Sequence, residues 1–182
     1  MDRLEEALEI CRLMFTEERP SFAGRHYRID RVLNSPRPIQ AGGPPILVGG
    51  SGERRTLRLV AKYADMSNWF GPLDELRHKI EVLEGHCAEI GRDPATILRT
   101  VMVPVVLVAD HRDDAAVLER LTPERRAVTT IATPEEAVRV VQPYLDLGFR
   151  GIILRNPGIM TPEAIGLAGE MIGLVRREAV AA

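Results

Sequence analysis

Pro45-Ile46-Leu47-Val48-Gly49-Gly50-Ser51-Gly52-Glu53-Arg54-Arg55-Thr56-Leu57-Arg58-Leu59-Val60-Ala61 is the stretch that decides how this chain folds. Its first five residues are a short apolar run bounded by turn residues, the pattern of a strand buried on both faces. Helical periodicity follows directly from Glu53, with Leu57, Val60, Ala61 and Ala64 as the buried stripe. The turn between them, Gly49 to Gly52, offers successive backbone N–H groups at a helix start, where glycines let an anion come close. An ordinary strand-to-helix turn with glycines relieving steric crowding fits the same residues. No Lys-Ser or Lys-Thr follows, so this is not a nucleotide P-loop, and the spacing GxGxxG is absent. Arg54 and Arg55 either screen a phosphate or are simply solvated.

Toward the C-terminus the strand-then-helix alternation continues. A second strand is expected at Asp65 to Trp69, then a helix carrying Leu76, Ile80, Leu83, Cys87 and Ile90 that ends at Gly91 and Pro94. Val101 to Ala109 is the longest β-branched run and reads as one strand, with Pro104 implying a bulge. Arg112 to Leu121 reads as a short helix. Thr133-Pro134-Glu135-Glu136 supplies an N-cap, a proline at the first helical position and an acid at the third, before a helix closing at Gly148. Gly151 to Leu154 is the last strand, and Thr161-Pro162-Glu163 repeats the helix-start chemistry. Toward the N-terminus, residues 20–40 read as a hairpin-like insertion around Gly24. Before it comes an amphipathic helix with Asp2 as N-cap and Leu4, Ala7, Leu8, Cys11, Met14 and Phe15 on one face.

Four strands alternating with helices imply parallel pairing through right-handed crossovers, an α/β fold. An eight-unit barrel needs about 250 residues, and 182 residues supply about four units after a helix with no strand of its own. Whether the sheet closes is left open; the chain, residues 1–182, reads as one domain that looks like the second half of something larger.

Composition narrows the partners. With a net charge of −2, a pI near 6.1 and interspersed basic residues, neither nucleic acid nor an acidic membrane is the expected partner, and a small neutral or anionic ligand fits better. Cys11 and Cys87 lie far from any CxxC or Cys/His spacing and read as core thiols of a reducing compartment, the cytoplasm. No basic-then-apolar leader follows Met1, and no apolar run reaches the length of a membrane helix.

The order of pieces is more specific than any one of them. Pro36-Arg37-Pro38-Ile39-Gln40, the Pro44 to Trp69 stretch with its Tyr63-Ala64-Asp65, Gly91-Arg92-Asp93-Pro94, Thr133-Pro134-Glu135-Glu136 and Asn156-Pro157-Gly158 together resemble the luciferase-like flavin monooxygenase superfamily. The resemblance is greatest to the branch that uses the deazaflavin coenzyme F420, and it covers nearly the whole chain. It implies the C-terminal half of a luciferase-like (β/α)8 TIM barrel, with about four parallel strands and flanking helices. It also implies an oxidoreductase acting on a small organic substrate, with coenzyme F420 as cofactor and FMN as the alternative. The family's first four strands, which carry its proton-handling residues and much of its dimer face, have no counterpart here. No catalytic residue can thus be named, and pairing with another copy or with a separate N-terminal half is expected. A non-catalytic half-barrel that needs a second chain is the alternative reading.

By that resemblance Gly49, Gly50, Ser51 and Gly52 help hold the cofactor phosphate. Asn68, at the carboxyl end of the second strand, is a pocket candidate, and Trp69 beside it suits packing equally well; Asn156 and Arg155, after the last strand, suit a pocket contact and a simple turn equally. His26, His78, His86 and His111 are dispersed and read as surface residues, with no metal site among them. Glu5-Glu6, Glu17-Glu18 and Asp113-Asp114 read as solvated pairs, and Ser51 lacks the GxSxG elbow of a hydrolase.

Overall fold

The computed structural model describes residues 1–154 and 161–181. It divides into two compact units, one of Met1–Trp69 with Asp74–Arg99, the other of Phe70–Leu73 with the chain from Thr100 onward.

In the first unit, helix α1 (Asp2–Thr16) is followed by a two-stranded antiparallel hairpin, β1 (Phe22–Ala23) and β2 (Arg28–Ile29). Met1, not Asp2, is the cap of α1, and of its apolar face only Leu8 is buried. Cys11 is consequently exposed, contrary to its expected place in the core, whereas Cys87 is buried. The hairpin turn is organised by Glu6, whose carboxylate accepts the backbone N–H groups of Arg25 (2.8 Å), His26 (2.9 Å) and Tyr27 (2.8 Å). A Cβ on Gly24 would run into the Glu6 carboxylate and the Phe22 ring, so a larger residue there would displace the carboxylate from the turn. Burial acts to raise the Glu6 pKa, but the N–H groups of His26, Tyr27 and Arg25 hold it below its ordinary 4.5. Glu6 is therefore a structural anion rather than one of a solvated pair.

Strand β3 (Leu47–Gly49) pairs in parallel with β4 (Met66–Trp69), and helix α2 (Thr56–Tyr63) joins them. β3 is an edge strand, so Leu47 stays 47% exposed and only Val48 is buried, where two buried faces were expected. Helix α2 begins at Thr56 and not at Glu53, because residues 53–55 are spent in the turn. Its stripe of Leu57, Val60, Ala61 and Ala64 is almost wholly buried, together with Trp69, Leu76, Leu83 and Cys87. Each fully buried Leu of this set contributes roughly 1.5–3 kcal/mol. Leu76, Leu83 and Cys87 come from helix α3 (Leu73–Glu89).

The second unit is built from β5 (Leu98–Val103), whose last four residues belong to it, β6 (Val105–Leu107), helices α4 (Asp114–Glu119) and α5 (Pro123–Arg126), β7 (Thr130–Ala132), α6 (Pro134–Asp146), β8 (Gly151–Leu154) and α7 (Pro162–Ala181). The run expected as one bulged strand is two strands. Pro104 has no N–H for the ladder; β5 before it pairs in parallel with β8, and β6 after it with β7. Strand β7 was not foreseen, because three residues without alternation carry no periodic signal. β3, β4, β5 and β8 are the four parallel strands that the sequence calls for. Val101, Val105, Ala137, Val141 and Phe149 form the core of this unit. No described helix is long and apolar enough to cross a membrane.

Candidate functional site

The parallel register places Gly49 beside Asn68 at the carboxyl ends of β3 and β4. Gly50 follows at φ +101°, a conformation side-chain-bearing residues avoid, and its N–H donates to the Asn68 carbonyl at 3.1 Å. Gly49, Gly50 and Asn68 are thus brought together. A Cβ on Gly49 would meet nothing within 4 Å, so the turn has an open side. Gly52 lies against Thr56, whose Oγ1 would be 3.0 Å from an added Cβ, and the Gly52 carbonyl accepts from Leu57 N at 3.0 Å.

The helix that starts here differs from its fellows. Arg55 occupies the cap position of α2 and makes no side-chain cap bond, and its first turn holds no acid. Every other described α-helix carries an Asp or Glu in its first turn: Asp2 and Glu5, Asp74 and Glu75, Asp114, Glu124, Glu135 and Glu136, and Glu163. An α-helix N-terminus carries about half a positive charge, which an acid normally answers. At α2 cations are added instead. Ser51, Gly52, Glu53, Arg54, Arg55, Thr56 and Lys79 line a hollow of about 570 Å³. Arg55 pairs with Asp2, and Lys79, with its side chain 17% exposed, lies 3.4 Å from Glu75. Glu53 faces His78 at 3.4 Å, and its carbonyl lies 2.8 Å from His86 Nε2. The arrangement suits a polyvalent anion.

The opposite end of α2 is electrostatically complete. Arg92 donates to the carbonyls of Ala61 and Ala64, both at 2.8 Å, and to that of Val60 at 3.4 Å. Asp93 caps the short 3₁₀ turn Pro94–Thr96 through the Ala95 N–H, and Gly91 stands at φ +67°. Gly91-Arg92-Asp93-Pro94 is therefore a device for holding α2. Asp65 has a similar role, taking Arg12 at 2.8 Å and the Ile46 N–H at 2.7 Å. Burial would raise its pKa, but the Arg12 guanidinium and the Ile46 N–H bring it below its ordinary 3.8. Trp69 is fully buried, the packing reading. Asn156 and Arg155 lie outside the described residues.

A family model for the luciferase-like monooxygenases matches residues 1–148. The chain belongs to that family. Among curated relatives it is 29% identical to an F420-dependent glucose-6-phosphate dehydrogenase of Intrasporangium calvum, over 86% of this chain and 55% of the relative. A protein of the same description from Nakamurella multipartita is 27% identical over 93% and 58%. The chain thus spans little more than half the length of these relatives. Among solved structures, the F420-dependent tetrahydromethanopterin reductase of Methanopyrus kandleri superposes with a TM-score of 0.77 at 14% identity, over 96% of this chain and 63% of that one. An F420-dependent secondary alcohol dehydrogenase, solved with an F420-acetone adduct, gives 0.76 at 15%, over 93% and 60%. The fold is that of the luciferase-like barrel enzymes, represented by four parallel strands and their flanking helices.

Two features of this family member escaped the sequence. Lys79 reaches the hollow from α3, in a Glu75/Lys79 pair that looks like any solvated helix pair. In the second unit a cavity of about 680 Å³ is lined by Phe70, Pro72, Met102, Pro104, Val128 and Tyr144, residues scattered over 75 positions and without periodic signature. His111 is exposed, but Nδ1 lies 2.9 Å from Asp114 and Nε2 2.8 Å from Glu136. Those two carboxylates, Asp114 first, raise its pKa above 6.5. Among the described residues no three His, Cys, Asp or Glu side chains gather to hold a metal.

Proposed function

We propose that this chain is the cofactor-gripping part of a luciferase-like oxidoreductase that uses coenzyme F420, with FMN as the alternative. The observation that carries the reading is the start of α2, with no acid in its first turn and no side-chain cap, beside Gly49 to Gly52 in a hollow where Arg54, Arg55 and Lys79 outnumber the one acid, Glu53. The residues fit a phosphate group. The turn is open on the Gly49 side, and Gly50 stands at a φ that only glycine takes up without strain. Gly49, Gly50, Ser51 and Gly52 would hold the phosphate, with Asn68 and Asn156 near the ring. Bound there, the deazaflavin supplies hydride chemistry toward a small organic substrate. The chain's own contribution is to orient the phosphate with N–H groups of the turn, Gly50's excepted because it already donates to the Asn68 carbonyl, and to answer its charge with cations. Residues 1–182 are taken as one partial luciferase-like domain, with the hairpin as an insertion, at work in the cytoplasm.

Titration of the purified chain with F420 and with FMN, followed by cofactor fluorescence, tests this. F420 is expected to bind, with a Kd that rises a few-fold in Lys79→Ala and with added salt. Binding of FMN alone would move the assignment to the flavin branch, and binding of neither would sink it. One observation favours a second reading, a half-barrel that needs a second chain to catalyse. Leu47 on edge strand β3 is half exposed, an apolar edge that another chain can cover. Light scattering showing a stable, soluble monomer would count against it.

A further inference from the structure

We propose that the cavity between Phe70, Pro72, Met102, Pro104, Val128 and Tyr144 is the binding site for an uncharged, largely apolar organic molecule, and that this is the class to which the substrate belongs. The second clause rests on the oxidoreductase reading; the first does not.

The lining decides the chemistry. Five of these side chains are hydrocarbon or thioether, and Tyr144 adds one hydroxyl. Among the described residues no charged side chain lines it. A phosphate or carboxylate entering would surrender its water without meeting a counter-charge, which is strongly unfavourable. An uncharged ring system loses little on entry and gains the release of water from apolar walls. The volume, about 680 Å³, lies inside the roughly 300–1,000 Å³ range of small-molecule sites, which are mostly apolar with a few placed polar groups.

Position and exposure agree. Phe70 directly follows β4 and Pro104 directly follows β5, so both stand at carboxyl ends of parallel strands, the ligand-binding end of barrel folds. Phe70 is 66% exposed and Val128 61%, so apolar surface faces this hollow uncovered. Pro72 and Pro104 fix their backbones, so the walls are preformed. The contrast with the cationic hollow at Ser51 to Thr56 is complete: an anion is served by one and refused by the other. The relatives named for glucose 6-phosphate handle a charged sugar, and these walls are built for something else.

The experiment uses 1-naphthol as the probe and glucose 6-phosphate as its charged counterpart, each added to the full chain and followed by saturation-transfer NMR. F420 is titrated separately. 1-Naphthol is expected to bind and glucose 6-phosphate not to displace it. Val128→Asp places a charge on a wall residue already facing water, so folding is spared, and should weaken 1-naphthol about tenfold or more. Phe70→Ala should weaken it several-fold, and both variants should keep F420 affinity. Displacement of 1-naphthol by glucose 6-phosphate would overturn the proposal, as would 1-naphthol binding indifferent to both substitutions. Binding lost in step with self-association at rising protein concentration would also overturn it, assigning the surface to a second copy. F420 failing to bind while 1-naphthol binds would overturn the cofactor reading alone; the reverse would overturn the apolar site alone.

Discussion

Helices α2 and α6 both begin after a strand, and they begin in opposite ways. At α6, Thr133 accepts from the Glu136 N–H at 3.4 Å while Glu136 accepts from the Thr133 N–H at 2.9 Å, a reciprocal cap strengthened by His111. The chain there answers its own N–H groups and dipole, and nothing is asked of a ligand. At α2 no side chain caps, no acid stands in the first turn and three cations gather. A helix start that its own sequence declines to neutralise is where an external anion gains most. The two starts look alike as strand-turn-helix text and differ in what they leave undone.

The comparison breaks first at Gly50. Gly50→Val forces a β-branched residue to φ +101°, at a cost on the order of 1–3 kcal/mol, and so distorts the turn. F420 binding should become undetectable by fluorescence titration while a folded circular-dichroism spectrum is kept; retained affinity would remove the turn from the site. Arg92→Ala comes next. It strips the C-terminal carbonyls of α2 of a charged donor, and urea unfolding should show a loss of about 1.5–3 kcal/mol. Thr133→Ala is expected to cost about 1 kcal/mol and to leave the F420 Kd unchanged; a shift in that Kd would mean that the α6 start is not purely structural.

The smallest effect is one of pH. His111 has its pKa raised above the ordinary 6.5 by Asp114 and then Glu136. Its contribution to stability is thus full below about 6.5 and is lost as pH rises through the raised value. Glu136 has its pKa lowered from 4.5, first by the Thr133 N–H and then by His111, so its share is present above 4.5 and lost as pH falls through the lowered value. Wild type should exceed His111→Ala in thermal stability mainly between those limits. A pH-independent difference would show that the contact is packing alone.

Much of the fold was legible because the signals were local. The Thr133 cap, the stripe of α2 and the strands at Asp65 and Gly151 each depend on residues within one turn or one pleat. The exceptions are equally physical. β7 is too short for a period, Pro104 splits a strand by choosing partners far away in sequence, and Cys11 is exposed because nothing in the sequence of α1 says how much of its face is covered. The candidate turn was readable in its glycines and in Asn68, which register brings beside Gly49. Lys79 and the Phe70 to Tyr144 cavity were not, since both are made by residues that meet only through tertiary packing. Tyr63-Ala64-Asp65 and Gly91-Arg92-Asp93-Pro94 were conspicuous in the sequence, yet they act as scaffolding for α2.

The hairpin holds one more cradle of backbone N–H groups, and Glu6 already sits in it. This has a stoichiometric consequence. Inorganic phosphate titrated into the chain is expected to bind with one equivalent per molecule across the hairpin and α2 turns, because the hairpin carries a covalently attached anion of its own. Calorimetry on Glu6→Ala, should it add a second weak phosphate equivalent, would show that the carboxylate works as a built-in tenant and keeps phosphate out of the hairpin.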